Sequence, residues 1–252
     1  MALIKIVTEG RPVELSCVDE GQGQPVVLIH GFASTKEVNW INTGWMKALL
    51  GAGFRVVCFD NRGHGESTKF HEKADYTLDI MARDALGLIN ALQLERPHIV
   101  GYSMGARIAS MLAIEHSADI GRVVLSGNGW GMVEGSGDWT VVEQALLAPS
   151  LADVTDERGR TFRKFADQTK SDRIALAACV SGVRQLVPRE GLAAIENDVL
   201  VAIGTEDDLA GSGEKLADVL PNAQFFPIKG RDHMKAVGDR SHIAAALEFL
   251  SA

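Results

Sequence analysis

The sequence predicts an α/β protein: a mostly parallel central sheet with helices on both faces, and a helical segment inserted after the sixth strand. Three observations carry this. Short runs such as Val26-Val27-Leu28-Ile29, Val56-Val57-Cys58-Phe59 and Val199-Leu200-Val201-Ala202-Ile203 are apolar at every position, as strands buried on both faces are. Helix-length stretches separate these runs, and repeated alternation of the two implies a parallel sheet with covered faces. The alternation then stops after Ser126 and resumes only at Val199, with helical patterns in between.

In chain order, residues 4–7 and 13–18 read as short strands parted by Gly10-Arg11-Pro12, and suit an antiparallel pair. Pro25-Val26-Val27-Leu28-Ile29 reads as a buried strand. Residues 45–50 read as a helix that Gly51-Ala52-Gly53 stops, and residues 54–59 as the next strand. Residues 78–92 form an amphipathic helix with Ile80, Ala85, Leu88, Ile89 and Leu92 near one face. Ile99 and Val100 form a strand, residues 106–115 a helix, and Val123-Val124-Leu125 a strand. Gly127-Asn128-Gly129-Trp130-Gly131 is a flexible junction, followed by helices over 141–147, 158–166 and 173–186. After the strand at 199–203 come a helix over 214–220, a strand through Phe225, Phe226 and Ile228, and a last helix over 243–250. The expected organisation is a core of residues 1–129 and 195–252 with a helical lid of residues 130–194, a size that fits one domain carrying an insertion.

Bulk composition excludes several functions. Lys and Arg number 25 against 33 Asp and Glu, a net charge of −8 with no basic block. A nucleic-acid backbone therefore has no landing surface, and an anionic membrane has no basic patch to attract. No apolar run approaches the ~18 residues of a membrane span, and the charge at Lys5 argues against a secretion signal. Cys17, Cys58 and Cys179 are far apart, lack metal-type spacing and are odd in number, which suits a reducing, cytoplasmic setting. Cys58 lies in a buried strand and reads as a packed thiol.

In open parallel sheets, sites form at the carboxyl ends of the strands. Gly101-Tyr102-Ser103-Met104-Gly105 lies between a strand and a helix, the context of a nucleophile elbow. An abrupt turn forces strained backbone there, and a Cβ on either flank would clash. A serine hydroxyl needs an adjacent base oriented by a carboxylate. Of the seven histidines, only His233 follows a late strand in a short polar loop. Glu206, Asp207 and Asp208 follow the strand at 199–203 and compete for the acid. His30-Gly31-Phe32 follows the strand at 25–29, and the Phe32 and Met104 amides are the candidate donors to an oxyanion. His30 itself reads as a buried structural histidine. The segment Asp60 to Ser67 lacks the Lys-Ser/Thr ending of a phosphate loop and reads as a tight turn with Arg62 paired locally. Gly127 to Gly131 does not open a helix after the first strand, so it fails as a dinucleotide fingerprint.

The ordered set His30-Gly31-Phe32, Asp60-Asn61-Arg62-Gly63-His64-Gly65-Glu66-Ser67, Gly101-Tyr102-Ser103-Met104-Gly105, Gly204-Thr205-Glu206-Asp207 and Gly230-Arg231-Asp232-His233 resembles the α/β-hydrolase superfamily over nearly the whole chain outside the lid. The resemblance implies Ser103 as nucleophile, His233 as base and Asp207 as acid, since the family pattern is glycine, two residues, then aspartate; Asp208 is the runner-up. It implies a serine hydrolase that cleaves a small carboxylic ester through an acyl-enzyme, with no metal or organic cofactor. Ala106 departs from the glycine many members carry. Met234 replaces an aromatic found after the histidine in some carbon–carbon-cleaving members, which disfavours that subgroup. Serine at 103 argues against dehalogenases and epoxide hydrolases, which use aspartate. A perhydrolase or haloperoxidase, a lactonase, a carbon–carbon hydrolase, and a small-molecule sensor with a slow triad stand as alternatives. Trp130, Met132, Trp139, Phe162 and Phe165 are the bulky lid residues, and Trp130, Trp139 and Phe162 are the candidate substrate contacts. The substrate itself and the oligomeric state are not readable.

Overall fold

A computed structural model describes residues 2–252. Its eight strands are β1 Ala2–Thr8, β2 Arg11–Glu20, β3 Pro25–Ile29, β4 Arg55–Phe59, β5 His98–Tyr102, β6 Val123–Ser126, β7 Val199–Gly204 and β8 Ala223–Ile228. They form one sheet in the order β1-β2-β4-β3-β5-β6-β7-β8. The β1/β2 and β2/β4 pairs are antiparallel and the others parallel. The helices are α1 Trp45–Gly51, α2 Leu78–Ala91, α3 Met104–His116, α4 Gly131–Glu134, α5 Thr140–Leu147, α6 Glu157–Gln168, α7 Arg173–Gly182, α8 Arg189–Ala193, α9 Gly213–Ala217, α10 His233–Ala236 and α11 Arg240–Ser251. None is long and apolar enough to cross a membrane, among the described residues.

The uniformly apolar strands serve two faces at once. Val27, Ile29, Val57, Phe59 and Ile99 point into an apolar cluster with α2 and α3, while Val26, Leu28, Val56, Cys58 and Val100 point into a second one with α1 and α11. Each fully buried aliphatic side chain is worth roughly 1.5–3 kcal/mol relative to exposure, so a charge in any of these runs would be expelled. The helices between β6 and β7 share the first cluster through Met132, Val142, Leu146, Phe162, Leu176 and Val180. This inserted segment is therefore bonded to the body of the molecule by a common core.

Two sequence expectations are corrected here. The helix expected over 173–186 ends at Gly182, because the following residues are spent on tertiary hydrogen bonds. The Leu78 amide donates to Gln185 Oε1 at 2.9 Å, and the Val187 amide donates to the Met132 carbonyl at 2.9 Å. Arg62 does not pair locally. Its fork reaches Asp84 on α2, with Nε 2.5 Å from Oδ2 and Nη2 2.6 Å from Oδ1, both residues being buried. The turn itself is held by Asp60, which accepts from Lys36 Nζ at 2.7 Å and from the Lys36 and Glu66 amides.

His242 is fully buried on α11, its Nε2 2.8 Å from Ser126 Oγ and its Nδ1 3.0 Å from the Ala236 carbonyl. Burial pushes its pKa down to about 4, and burial together with His30 pushes His64 down to about 3. The unfolded chain takes these protons near pH ~6.5. Between pH ~6.5 and those folded-state values the unfolded state binds more protons, so stability is full above that window and falls as pH drops through it. For His242 the loss is roughly 3 kcal/mol at about 1.4 kcal/mol per unit. Urea unfolding followed from pH 7.5 to 4 is expected to show this decline, and His242→Asn to flatten it; an equal slope in that variant would assign the decline elsewhere.

Candidate active site

The site lies at the carboxyl ends of β3, β5, β7 and β8, where each strand delivers one part. β5 runs into Ser103, which adopts φ 55°, ψ −112° just before α3. This left-handed, strained backbone is costly for a residue with a side chain, and it turns the hydroxyl out of the sheet. The two flanking glycines make the turn possible. A Cβ on Gly101 would lie 2.3 Å from the Gly105 carbonyl oxygen, and one on Gly105 would lie 1.9 Å from the Ile29 carbonyl oxygen.

β8 leads to His233, placed at the start of the short helix α10 rather than in a loop, and 9% exposed. Its Nε2 is 3.0 Å from Ser103 Oγ and its Nδ1 is 2.8 Å from Asp207 Oδ2. The Asp207 side chain is fully buried, and its Oδ1 accepts from the Leu209 and Ala210 amides at 2.9 and 3.0 Å. Those donors fix the direction of the carboxylate. Asp208 and Glu206 are exposed. The Tyr102 hydroxyl donates to the His233 carbonyl at 2.5 Å and pins the helix that carries the imidazole. Reading the sequence did not single out this contact, since it spans the elbow and the last loop.

The turn after β3 is fixed from several sides. The Gly31 amide donates to Asn39 Oδ1 at 2.8 Å, the Ala33 amide to His64 Nε2 at 3.1 Å, and the Asn61 amide to His30 Nε2 at 2.9 Å. His30 is thus a buried structural group, 0% exposed. The turn lies against the elbow: a Cβ on Gly31 would sit 3.3 Å from Ser103 Cβ. Among the described residues, the Phe32 and Met104 amides donate to no acceptor within the protein.

Beside Ser103 lies an apolar chamber of about 190 Å³, lined by Phe32, Val38, Phe162, Phe165, Met234 and Val237. Phe162 packs on Phe32 at 5.7 Å between ring centroids. A second, much smaller space of about 20 Å³ opens on the other side, toward Met104, Arg107, Asn128, Trp139 and Arg184. Of the lid candidates, Phe162, Phe165 and Trp139 reach these spaces. Trp130 does not. Its ring lies under Lys215 Nζ at 4.4 Å and its amide donates to the Ser212 carbonyl, so it braces the junction to α9. Met132 is wholly buried behind Ser110. Arg107 and Arg184 were not foreseen. The signal was present, since Arg107 is the one charge in the apolar stretch from Met104 to Ile114. A wider depression of about 570 Å³ near Arg96 and Asn197 lies at the amino ends of the strands, away from Ser103. Among the described residues, no group of three or more His, Cys, Asp or Glu is arranged to hold a metal ion.

Comparison with known proteins agrees with this architecture. Residues 24–150 match the alpha/beta hydrolase fold family, and the chain belongs to that family. It is an enzyme of the α/β-hydrolase superfamily. Non-heme chloroperoxidase CPO-A1 of Kitasatospora aureofaciens is 27% identical over 277 residues, spanning 98% of this chain and 99% of its own. A bromoperoxidase from Bacillus anthracis superposes with a TM-score of 0.80 at 25% identity, covering 100% and 99% of the two chains. An esterase from Exiguobacterium antarcticum shares the fold with a TM-score of 0.80 at 20% identity over 99% of each chain.

Proposed function

We propose that the protein hydrolyses a small carboxylic ester through an acyl-enzyme. One observation carries this reading: a strained serine at the strand end lies 3.0 Å from an imidazole whose other nitrogen meets a buried carboxylate at 2.8 Å. Ser103 Oγ attacks the ester carbonyl while His233 Nε2 takes its proton. Asp207 stabilises the resulting imidazolium and holds the ring in the required tautomer. The amides of Phe32 and Met104, free of internal acceptors, bind the oxyanion. His233 then gives its proton to the departing alcohol. Water enters, yields a proton to the same nitrogen, and releases the acid and free Ser103. Residues 130–194 act as the lid over a core of 1–129 and 195–252, with Trp139 and Phe162 touching substrate. Three free, buried cysteines support a reducing, cytoplasmic setting.

A second reading is favoured by the haloperoxidase names of the relatives: hydrogen peroxide in place of water would attack the same acyl-enzyme and release a peracid. A panel of short esters and lactones, run with and without peroxide, separates the two. Ester turnover without peroxide, at rates unaffected by it, is expected. Turnover only when peroxide is present would replace hydrolysis with perhydrolysis. Rapid fluorophosphonate labelling of Ser103 with no turnover of any substrate would instead support a sensor.

A further inference from the structure

Arginines buried in this protein are otherwise paired. Arg62 bonds Asp84, and Arg163 bonds Asp167 with Nε 3.1 Å from both carboxylate oxygens. Arg107 and the half-buried Arg184 are the exception beside the site. Arg107, on the first turns of α3, is 6% exposed, and no carboxylate lies within ion-pair distance of either guanidinium among the described residues. Arg107 donates one Nη2 bond to the Gln185 carbonyl, while among the described residues its buried Nε has no partner and the buried Nε of Arg184 has none either. Burial, and then the neighbouring Arg184 charge, bring the Arg107 pKa down to about 9, and burial brings Arg184 down to about 10. Both remain cations at neutral pH. The fold thus holds two positive charges side by side in a poorly hydrated place, which is costly unless an anion joins them.

Both arginines line the 20 Å³ space that also contains Ser103, Met104 and His233. Arg184 is steadied there by Trp139, whose ring lies 4.6 Å from its guanidinium carbon. Asn128 adds a side-chain amide, with Oδ1 buried and unpartnered and Nδ2 only weakly bonded, 3.4 Å from the Ser103 carbonyl. Ser103 therefore stands between an apolar chamber and a compact cationic one.

We propose that Arg107 and Arg184 form an anion subsite that selects substrates carrying a carboxylate close to the scissile ester, such as the monoester of a short dicarboxylic acid. A planar carboxylate suits the fork of an arginine, and a space this small excludes a bulky group. The rest of the substrate then occupies the chamber at Val38, Phe162 and Phe165. This inference rests on the ester-hydrolase reading above for its kinetic test, though not for its binding test.

The kinetic arm compares monomethyl succinate with methyl levulinate, in which a methyl ketone replaces the carboxylate. The wild-type kcat/KM is expected to favour the anion at least about tenfold, the value of a charge-assisted hydrogen bond. Arg107→Gln should bring this ratio toward one, chiefly through KM, and Arg107→Lys should restore part of it. Arg184→Gln, at a less buried position, should act in the same direction and covers the case in which Arg107→Gln fails to fold. The binding arm measures succinate by calorimetry on Ser103→Ala, with and without Arg107→Gln or Arg184→Gln. A loss of affinity of about tenfold or more on removing either arginine supports the subsite, even if no ester is hydrolysed. Equal rates on the two esters together with succinate affinity indifferent to both arginines would overturn it.

Discussion

Ser103→Ala is expected to lower kcat/KM on short p-nitrophenyl esters by at least about 10⁴-fold while leaving the fold intact. The hydroxyl is the group that forms the acyl bond in the proposed mechanism, and nothing else within reach of His233 Nε2 can replace it. Among the described residues, its only side-chain hydrogen bond is the one to His233 at 3.0 Å. Alanine at φ 55° bears the same backbone strain as serine, so thermal unfolding should move little. Burst kinetics and active-site titration with a fluorophosphonate provide the measurement, and the variant should show no label. Retention of more than about a tenth of the wild-type rate would remove Ser103 from the chemistry. The amides of Phe32 and Met104 would survive the substitution, so a small residual rate above background is compatible with the scheme.

Gly105→Ala should destabilise the protein by more than about 4 kcal/mol, the range reserved for steric conflicts that the backbone cannot relieve. The added Cβ would sit 1.9 Å from the Ile29 carbonyl oxygen and 2.6 Å from its carbon. Both belong to β3, whose backbone is fixed between β4 and β5. Either α3 must lift off the sheet or β3 must shift, and each route breaks the contact between the Ser103 elbow and the Gly31-Phe32 turn. For a chain of this size the loss corresponds to about 10 °C or more in Tm, and insoluble expression would be the same result. Ala106→Gly is the control. It costs about 1 kcal/mol as a helix substitution and should retain the proposed ester hydrolysis. A Gly105→Ala protein melting within 2 °C of wild type would show that the elbow can open without damage.

Much of the molecule is legible from short stretches of chain. The strand runs at 26–29, 56–59 and 199–203 are apolar throughout because both sheet faces are covered, and that pattern needs no partner to be read. Ser103 and His233 follow strands in an order that marks them as candidates, the family pattern prefers Asp207 over Glu206 and Asp208, and the structure sets Ser103 and Asp207 within hydrogen-bond distance of His233. Glycines at 101 and 105 declare a turn because no other residue fits there. The misplaced elements have a common origin. The helix after Arg173 stops at Gly182 because the amide of Leu78 and the carbonyl of Met132 bond to residues beyond it. Arg62 seeks Asp84 across 22 positions, and Trp130 turns under Lys215 instead of toward Ser103.

Hydrophobic period, glycine placement and the ordered strand-end motifs are properties of neighbouring residues, and they suffice for the family, the sheet and the candidate triad. Which side chains of residues 130–194 reach Ser103, and that Arg107 and Arg184 stand together without an acid among the described residues, depend on how segments distant in the chain meet. Charge pairing and cavity shape are sums over such meetings. A lone arginine in an apolar run is visible in the sequence, but only packing determines whether a carboxylate of the protein neutralises it or whether it is left for a ligand.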